Sequence, residues 1–234
     1  MKVGLFIPCY VEQFYPNVGI ATLELLEKLG LEVGYPLDQT CCGQPMANSG
    51  CENESVVTTK LFIDNFKDFD YIVSPSGSCV LHIKEHGHLD NVYELCEFLT
   101  DVIKVENFEF EFPYKVGLHV SCHGQRGLGL AQSSEIVGQD FSKMRVLLDK
   151  IKGLDLIELE RKDECCGFGG TFAVAEEAVS VKMGKDRVED HLKNKAEILT
   201  GGDMSCLMHM EGLINRQGNP LKVMHIAEIL NLAK

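Results

Sequence analysis

The chain has 234 residues and a formal net charge of −13, and it contains ten cysteines. Its hydrophobic content of 45% and charged content of 24% are ordinary for a soluble globular protein. The acidity makes nucleic acid a poor partner, because phosphate backbones are repelled. No apolar run reaches the roughly 20 residues of a membrane helix, and residues 1–9 lack a signal-peptide cleavage pattern. We therefore expect a cytoplasmic protein with no transmembrane segment.

Strands alternate with helices along the first half of the chain. Apolar runs predict strands over residues 3–8, 31–35, 71–75 and 92–95. Helical spacing predicts helices over residues 18–29, 54–68 and 96–102, with a further short helix before residue 92. This alternation is typical of parallel sheets that are covered by helices on both faces.

The second half repeats the first. KVGLHVSC at residues 115–122 matches KVGLFIPC at residues 2–9 in five of eight positions, and SCLMHM at 205–210 matches SCVLHI at 78–83. The sequence therefore predicts an α/β fold made of two duplicated Rossmann-like units, residues 1–109 and 110–234, with parallel sheets flanked by helices. The acidic, aromatic stretch 106–113 is the predicted connector. A longer helix is predicted over residues 172–196, with Lys182, Lys185, Arg187 and Lys193 on a solvated face.

Eight of the ten cysteines occupy duplicated positions, and each half carries one Cys-Cys-Gly triplet. Parallel sheets place ligand sites beyond the carboxyl ends of their strands, so the cysteines of one half are expected to converge there. Several soft thiolates on one point suit a metal or an iron–sulfur cluster. The candidate metal ligands form two sets of four: Cys9, Cys41, Cys42, Cys79 and Cys122, Cys165, Cys166, Cys206.

Glycines follow both cysteine pairs. Two adjacent side chains of an extended chain point in opposite directions, so the backbone must turn sharply for both thiols to face one centre. Gly43 and Gly167 permit the positive φ that such a turn requires. Gly169 and Gly170 leave backbone N–H groups that can donate to sulfur. These four glycines are the predicted cofactor-binding positions.

The remaining cysteines and the histidines give weaker signals. Cys51 and Cys96 have no counterpart in the other half, so they are interpreted as packing residues. His82 and His209 recur three residues after the last cysteine of each half, where a structural or a ligand role is open. His119 replaces Phe6 of the first half, which argues against a ligand role shared by both halves. No complete flavin or NAD motif is present.

Two other functions stay open on the residues alone. The first is a structural or assembly module with zinc sites of four cysteines each, although the close spacing that zinc sites commonly show is absent. The second is a thiol–disulfide redox protein that uses a vicinal cysteine pair.

The two Cys-Cys-Gly triplets and their outlying cysteines resemble the CCG cysteine-rich domain family, which includes the B subunit of heterodisulfide reductase and the glycolate oxidase iron–sulfur subunit. Phe14-Tyr-Pro16, Thr40-Cys-Cys-Gly-Gln-Pro45 and Cys165-Cys-Gly-Phe-Gly-Gly170 place the resemblance in the lactate-utilisation branch. It implies one or two [4Fe–4S] clusters and a part in oxidising L-lactate to pyruvate, beside other subunits that include a ferredoxin-type iron–sulfur protein. No base and arginine set for lactate can be assigned, so whether the chain is an enzyme by itself stays open, and we expect an oxidoreductase component.

The chain departs from the family pattern at one position in each half. Where the motif ends in C-x-x-C, this chain has Ser76 before Cys79 and Asp203 before Cys206. Four thiolates per half therefore fit a [4Fe–4S] centre better than the five-thiolate cluster of heterodisulfide reductase. Asp203 has two open interpretations, as an oxygen ligand or as a structural residue.

Overall fold

The computed structural model describes residues 1–232. Its first sheet is fully parallel and has the strand order β2-β1-β3-β4. These strands are β1 (Lys2–Leu5), β2 (Glu32–Gly34), β3 (Tyr71–Ser74) and β4 (Val92–Glu94). All four predicted strands of the first half are present, each shorter than its apolar run.

Helices connect these strands: α1 (Cys9–Phe14), α2 (Pro16–Lys28), α3 (Gln44–Asn48), α4 (Glu52–Phe66), α5 (Gly77–Gly87) and α6 (Leu95–Glu97), which continues as a π-helical turn over Phe98–Ile103. Helix α2 begins on Pro16, whose fixed φ suits the first turn of a helix. The helix ends before Gly30, and this glycine has a φ of 78°. The sequence predicted α2, α4 and α5. It did not predict α1 and α3, which are too short to show a helical period.

The second sheet is also fully parallel, with the order β8-β6-β9-β10. The strands of this half are β5 (Phe108–Glu111), β6 (Lys115–His119), β7 (Ile151–Lys152), β8 (Asp155–Leu156), β9 (Ile198–Gly201) and β10 (Lys222–His225). Its helices are α7 (Lys143–Leu148), α8 (Thr171–Ala175), α9 (Glu177–Lys193), α10 (Met204–Gln217) and α11 (Ile226–Leu230), with a π-helical turn over His123–Gly127.

The two sheets match strand for strand, because β6, β8, β9 and β10 take the positions of β1, β2, β3 and β4. The predicted fold class, two Rossmann-like units with parallel sheets and flanking helices, is confirmed. Strand β5 lies in the predicted connector and pairs with β7 in a separate two-stranded sheet. The division at residues 109 and 110 stays a prediction.

The predicted helix over 172–196 is wrong as one continuous element. The structure ends α8 at Ala175 and starts α9 at Glu177, with Glu176 between them at a φ of −123° and a ψ of 49°. No glycine or proline marks this break, so residue spacing alone gives no sign of it. The first half has the same arrangement, in which a five-residue helix, α3, follows the Cys-Cys-Gly triplet and precedes the long helix α4.

The two halves share one hydrophobic core. Val3 and Leu5 on β1 belong to the same buried cluster as Val116 and Leu118 on β6. The closing helices are exchanged, since α11 of the second half packs on α2 and α6 of the first half packs on α7. Ile226, Ala227, Ile229 and Leu230 of α11 are all fully buried. Burying each larger side chain of this kind contributes about 1.5–3 kcal/mol, so the exchange binds the halves together.

Within residues 1–232, no helix is both long enough and apolar enough to cross a membrane.

Candidate metal centres

The cysteines of the first half lie at the carboxyl ends of three neighbouring strands. Cys9 opens α1 after β1, and Cys79 lies in the first turn of α5 after β3. Cys41 and Cys42 lie in the loop between β2 and α3. Because these strands are adjacent and parallel, their ends meet at one edge of the sheet, as the sequence analysis expects.

The four thiols of this first quartet are linked in a chain of contacts. Hydrogen bonds link Cys9 to Cys41, Cys41 to Cys42, and Cys42 to Cys79. The pKa of Cys41 lies well below its ordinary value because Cys42 and Cys9 donate to its sulfur. The pKa of Cys9 and that of Cys42 are raised, chiefly by their bonds to Cys41. These contacts therefore favour the thiolate form at Cys41 over that of its neighbours.

The second quartet repeats this chain of contacts. Hydrogen bonds link Cys122 to Cys165, Cys165 to Cys166, and Cys166 to Cys206. The pKa of Cys165 is lowered like that of Cys41, with Cys122 as the larger cause and Cys166 as the next. The structure thus gathers both predicted sets of four sulfurs, which lie far apart in the sequence.

The glycine after each cysteine pair has a left-handed backbone. Gly43 has a φ of 100° and Gly167 a φ of 84°. A Cβ on Gly43 would lie 2.6 Å from Thr58 Oγ1, and one on Gly167 would lie 2.8 Å from the Ser180 carbonyl oxygen. The Gly43 N–H donates to Cys41 Sγ at 3.4 Å, and the Gly167 N–H donates to Cys165 Sγ at 3.3 Å. Only glycine combines this φ with this lack of space.

Gly169 and Gly170 complete the second loop, with φ values of 54° and 63°. The Phe168 N–H between Gly167 and Gly169 donates to Cys166. A Cβ on Gly170 would lie 3.6 Å from Asn48 Nδ2, so this glycine lies at the contact with the first half. Next to it, Thr171 Oγ1 donates to the Asn48 carbonyl at 3.3 Å. This part of the second loop therefore also joins the two halves.

The two cysteines without a counterpart lie elsewhere. Cys51 is exposed, and its thiol has a 4.0 Å contact with the Ser49 carbonyl oxygen. Cys96 is fully buried in the shared hydrophobic core, and burial raises the pKa of its thiol. Neither forms part of a quartet. The interpretation as a packing residue is confirmed for Cys96 and wrong for Cys51, because the Cys51 side chain is exposed.

Asp203 acts as a structural residue in this geometry. Its Oδ2 accepts from the Ser78 N–H at 2.9 Å, and its Oδ1 accepts from Ser205 Oγ at 2.8 Å and from Tyr10 OH at 3.3 Å. Both carboxylate oxygens are thus engaged at the N-termini of α5 and α10. Ser76 caps α5 by accepting from the Cys79 N–H at 3.4 Å.

His82 and His209 take similar positions but make different contacts. His82 is buried, and its Nε2 lies 3.1 Å from the point where a Cβ of Gly43 would stand. His209 contacts the Ser180 carbonyl through Nε2 at 3.3 Å. Desolvation lowers the pKa of both rings. Each therefore lies against the helix or loop that supports its cysteine pair.

The second half contains a polar group that the sequence analysis missed. Arg187 was expected on a solvated helix face, and that expectation is wrong, because the residue is fully buried. Its Nε donates to His119 Nδ1 at 3.2 Å, and one Nη forms an ion pair with Asp190 Oδ2 at 3.3 Å. Desolvation lowers the pKa of His119 to about 3, so the ring is neutral. The replacement of Phe6 by His119 between the two repeats was the available signal.

The donor set fits a metal cluster. Each half offers four thiols, with backbone N–H groups directed at sulfur, which is the environment that stabilises a thiolate site. In the second half, the Sγ atoms of Cys166 and Cys206 and one ring nitrogen of His119 lie within 4.8 Å of one another. His119 Nε2 is buried without a hydrogen-bond partner. A sulfur-bound group at this point would supply the missing acceptor.

Two equal α/β units, each carrying a cysteine quartet at the carboxyl edge of its sheet, define the class of this protein. The profile of the cysteine-rich CCG domain matches twice, over residues 3–84 and 116–211, and the chain belongs to that family.

Relatives along the whole chain are named Lactate utilization protein A. The one from an Exiguobacterium species is 42% identical over 247 residues, which cover 98% of this chain and 97% of the relative. The one from Bacillus subtilis is 42% identical over 246 residues, which cover 99% of both chains. Among solved structures, glutamate racemase isoform RacE1 from Bacillus anthracis matches with a TM-score of 0.41 and 14% identity, over 99% of this chain and 79% of the racemase. A likeness at that level says nothing about the activity of this chain.

Proposed function

We propose that this chain is an iron–sulfur electron-transfer subunit of a multi-protein system that oxidises L-lactate to pyruvate. The observation that carries the chemistry is the gathering of two equivalent thiol quartets at the carboxyl edges of two equivalent sheets. The names of the relatives, at about 42% identity over the full length, support the pathway.

The eight quartet cysteines are the proposed ligands of one or two [4Fe–4S] clusters. One-electron acceptance and donation is the chemistry that such a cluster supplies when bound. The residues around it have separate tasks. Gly43 and Gly167 turn the chain so that both thiols of a pair face the same centre, and their N–H groups donate to sulfur. Donors of this kind offset the negative charge of four thiolates.

The partners follow from this role. A chain that only passes electrons needs another subunit to take the proton and the hydride from lactate, and a further one to accept the electrons. We propose other subunits of a lactate-utilisation complex as these partners, including a ferredoxin-type iron–sulfur protein. We place the complex in the cytoplasm, where free thiols persist.

Iron and sulfide analysis of anaerobically prepared protein tests the cofactor. We expect iron, acid-labile sulfide and a visible absorbance that dithionite bleaches. Cys41→Ser and Cys165→Ser should each remove the iron of one half, because each takes one of the two inner sulfurs out of its linked quartet. Cys51→Ser is the matched control, since that thiol is exposed and outside both quartets. Colourless protein with stoichiometric zinc would contradict the proposal and favour a zinc module with four cysteine ligands per site.

The pathway is tested separately. A Bacillus subtilis strain that lacks its own Lactate utilization protein A should regain growth on L-lactate when it expresses this chain. The Cys41→Ser and Cys165→Ser variants should fail to restore growth at equal protein levels. Full growth with both variants would show that the quartets are not needed for lactate oxidation.

A further inference from the structure

The two halves fill one position of the repeat with different chemistry. In the first half, Phe6 follows β1 and contacts two rings of α4. Its ring centroid lies 4.9 Å from that of Phe62 and 5.9 Å from that of Phe66. This aromatic group belongs to the same buried cluster as Cys42 and Cys79. These rings therefore form an apolar wall behind this side of the first quartet.

In the second half, the same position holds ionisable side chains. His119 ends β6, where the repeat places Phe6 in the first half. Arg187 and His191 lie on α9, as Phe62 and Phe66 lie on α4. His119, Arg187 and His191 are all at most 1% exposed. These buried nitrogen donors lie behind the second quartet, where the first half has phenylalanine. His82, the buried histidine beside the first quartet, has its own counterpart in His209 and does not account for the difference.

The contact between Arg187 and His119 fixes where the imidazole proton lies. Arg187 Nε can only donate, so His119 Nδ1 must accept with its lone pair. A neutral ring with an unprotonated Nδ1 carries its hydrogen on Nε2. That Nε2 is buried and has no hydrogen-bond partner among residues 1–232. An unmade hydrogen bond of a buried donor is costly, so an acceptor is expected at this point.

The sulfur atoms of the second quartet are candidates for that acceptor. One ring nitrogen of His119 lies within 4.8 Å of Cys166 Sγ and of Cys206 Sγ. We propose that His119 donates an Nε2–H···S hydrogen bond to the second quartet and thereby makes the second iron–sulfur centre the more readily reduced of the two. This inference rests on the proposed function. Hydrogen bonds to sulfur raise the reduction potential of a cluster, and the first half has phenylalanine in this place.

His119 is a donor here and not a fifth ligand. A nitrogen that carries a hydrogen has no lone pair for iron, and Arg187 occupies the other nitrogen. The second centre therefore keeps four thiolate ligands, like the first. The difference between the two centres lies in the hydrogen bond and not in the ligand count.

Arg187 acts as a positioning residue. Its charge is balanced by Asp190 at 3.3 Å, and Glu164 also lies close enough to stabilise it. Its remaining N–H groups donate to the carbonyls of Leu118, Arg161 and Lys162. The guanidinium thus joins β6 to the loop that precedes Cys165 and orients His119. Because the ion pair is neutral overall, the expected difference in potential comes mainly from the His119 hydrogen bond.

The test is a redox titration of the full-length protein with both centres loaded, followed by electron paramagnetic resonance. The signal that disappears in Cys165→Ser belongs to the second centre, and the signal that disappears in Cys41→Ser belongs to the first. In wild-type protein we expect the second signal to develop at the higher potential. His119→Phe, which copies Phe6, should lower the reduced-to-oxidised ratio of the second centre at least tenfold at a fixed potential, about 59 mV for one electron. The first signal is the internal control and should not move.

His119→Gln retains an N–H donor, so the reduction potential of its second centre should lie close to that of wild type. A purely structural role of His119 would not predict this recovery. Should His119→Phe fail to fold, labelling wild-type protein with 15N-histidine gives the answer without a substitution. A weak nitrogen coupling, as from a hydrogen-bonded ring, should appear on the second signal and be absent from the first. Equal potentials, no nitrogen coupling, or the strong coupling of a bound nitrogen would overturn the inference while leaving the proposed function intact. Protein without iron in either half would overturn both.

Discussion

The backbones of Ser76 and Asp203 pair as an isolated antiparallel bridge, and each residue stands three positions before the last cysteine of its quartet. Both also cap the helix that carries that cysteine, α5 for Ser76 and α10 for Asp203. The bridge therefore joins the two halves at equivalent points of the repeat. Tyr10 OH contacts both residues, at 3.2 Å from Ser76 Oγ and 3.3 Å from Asp203 Oδ1.

Asp203→Asn should destabilise the protein. The amide keeps one acceptor oxygen and replaces the other with a donor, which then faces the N–H or hydroxyl groups that Asp203 now binds. We expect a loss of about 1–3 kcal/mol in the free energy of unfolding, measured by urea denaturation. Asp186→Asn is the matched control, since Asp186 pairs with Lys182 on the surface of α9. It should change stability by less than about 0.5 kcal/mol. Equal effects of the two substitutions would contradict the structural role of Asp203.

Glu94 should make the protein less stable at alkaline pH. It is fully buried at the N-terminus of α6, where Oε2 accepts from the Cys96 N–H at 2.7 Å. Burial raises its pKa from 4.5 to about 8. Between these two pKa values the folded protein keeps a proton on Glu94 that the unfolded chain has released. The free energy of unfolding therefore falls as the pH rises through this range. The free energy of unfolding should fall by at most on the order of 5 kcal/mol from this cause.

Glu94→Gln should therefore flatten the fall in stability and make the protein more stable at alkaline pH, while its oxygen still caps α6. The measurement is urea denaturation of wild type and variant from about pH 5 to about pH 9, because histidine titration is common to both proteins and cancels in the difference. Glu109→Gln on the exposed face of β5 is the control and should leave the pH profile unchanged. A variant with the same slope as wild type would show that Glu94 is ionised in the folded protein.

Gly43→Ala and Gly167→Ala should each impair the quartet of their own half. An alanine in the left-handed region costs about 1–2 kcal/mol, and here its Cβ would also meet atoms at 2.6–2.8 Å. The loop must shift, and the N–H bond to the first cysteine sulfur is lost with it. Iron content per half is the readout.

Gly50→Ala is the control for these glycines. Gly50 has a φ of 78° but no atom within 4 Å of the added Cβ. Gly50→Ala should lower the free energy of unfolding by about 1 kcal/mol and leave the iron content unchanged. Normal iron content in Gly43→Ala and Gly167→Ala would refute the geometric requirement.

The separated halves, residues 1–109 and 110–234, should not fold alone. Each would expose the face of α2 or α7 that the closing helix of the other half covers. Circular dichroism and urea denaturation should show no cooperative unfolding for either fragment. Co-expression should restore a complex that unfolds cooperatively. A single fragment with its own cooperative transition would show that the shared core is dispensable.

The fold class and the two groups of four cysteines could be predicted from the residue pattern. The repeated KVGL strands and the cysteines at their ends carry this information locally, because residues that end parallel strands must meet at one sheet edge. The glycines after the cysteine pairs could be predicted for the same reason, since a positive φ depends on the residue itself.

Which polar residues are buried could not be predicted in this way, because burial depends on contacts that form only in the folded protein. Arg187 looks like a surface residue among the charges of α9, yet its partner His119 is 68 positions away and comes from β6. The exchange of α6 and α11 between the halves and the engagement of Asp203 likewise depend on contacts across the repeat. Burial of a charge is set by neighbours that are distant in the chain, and residue spacing within one element does not contain them.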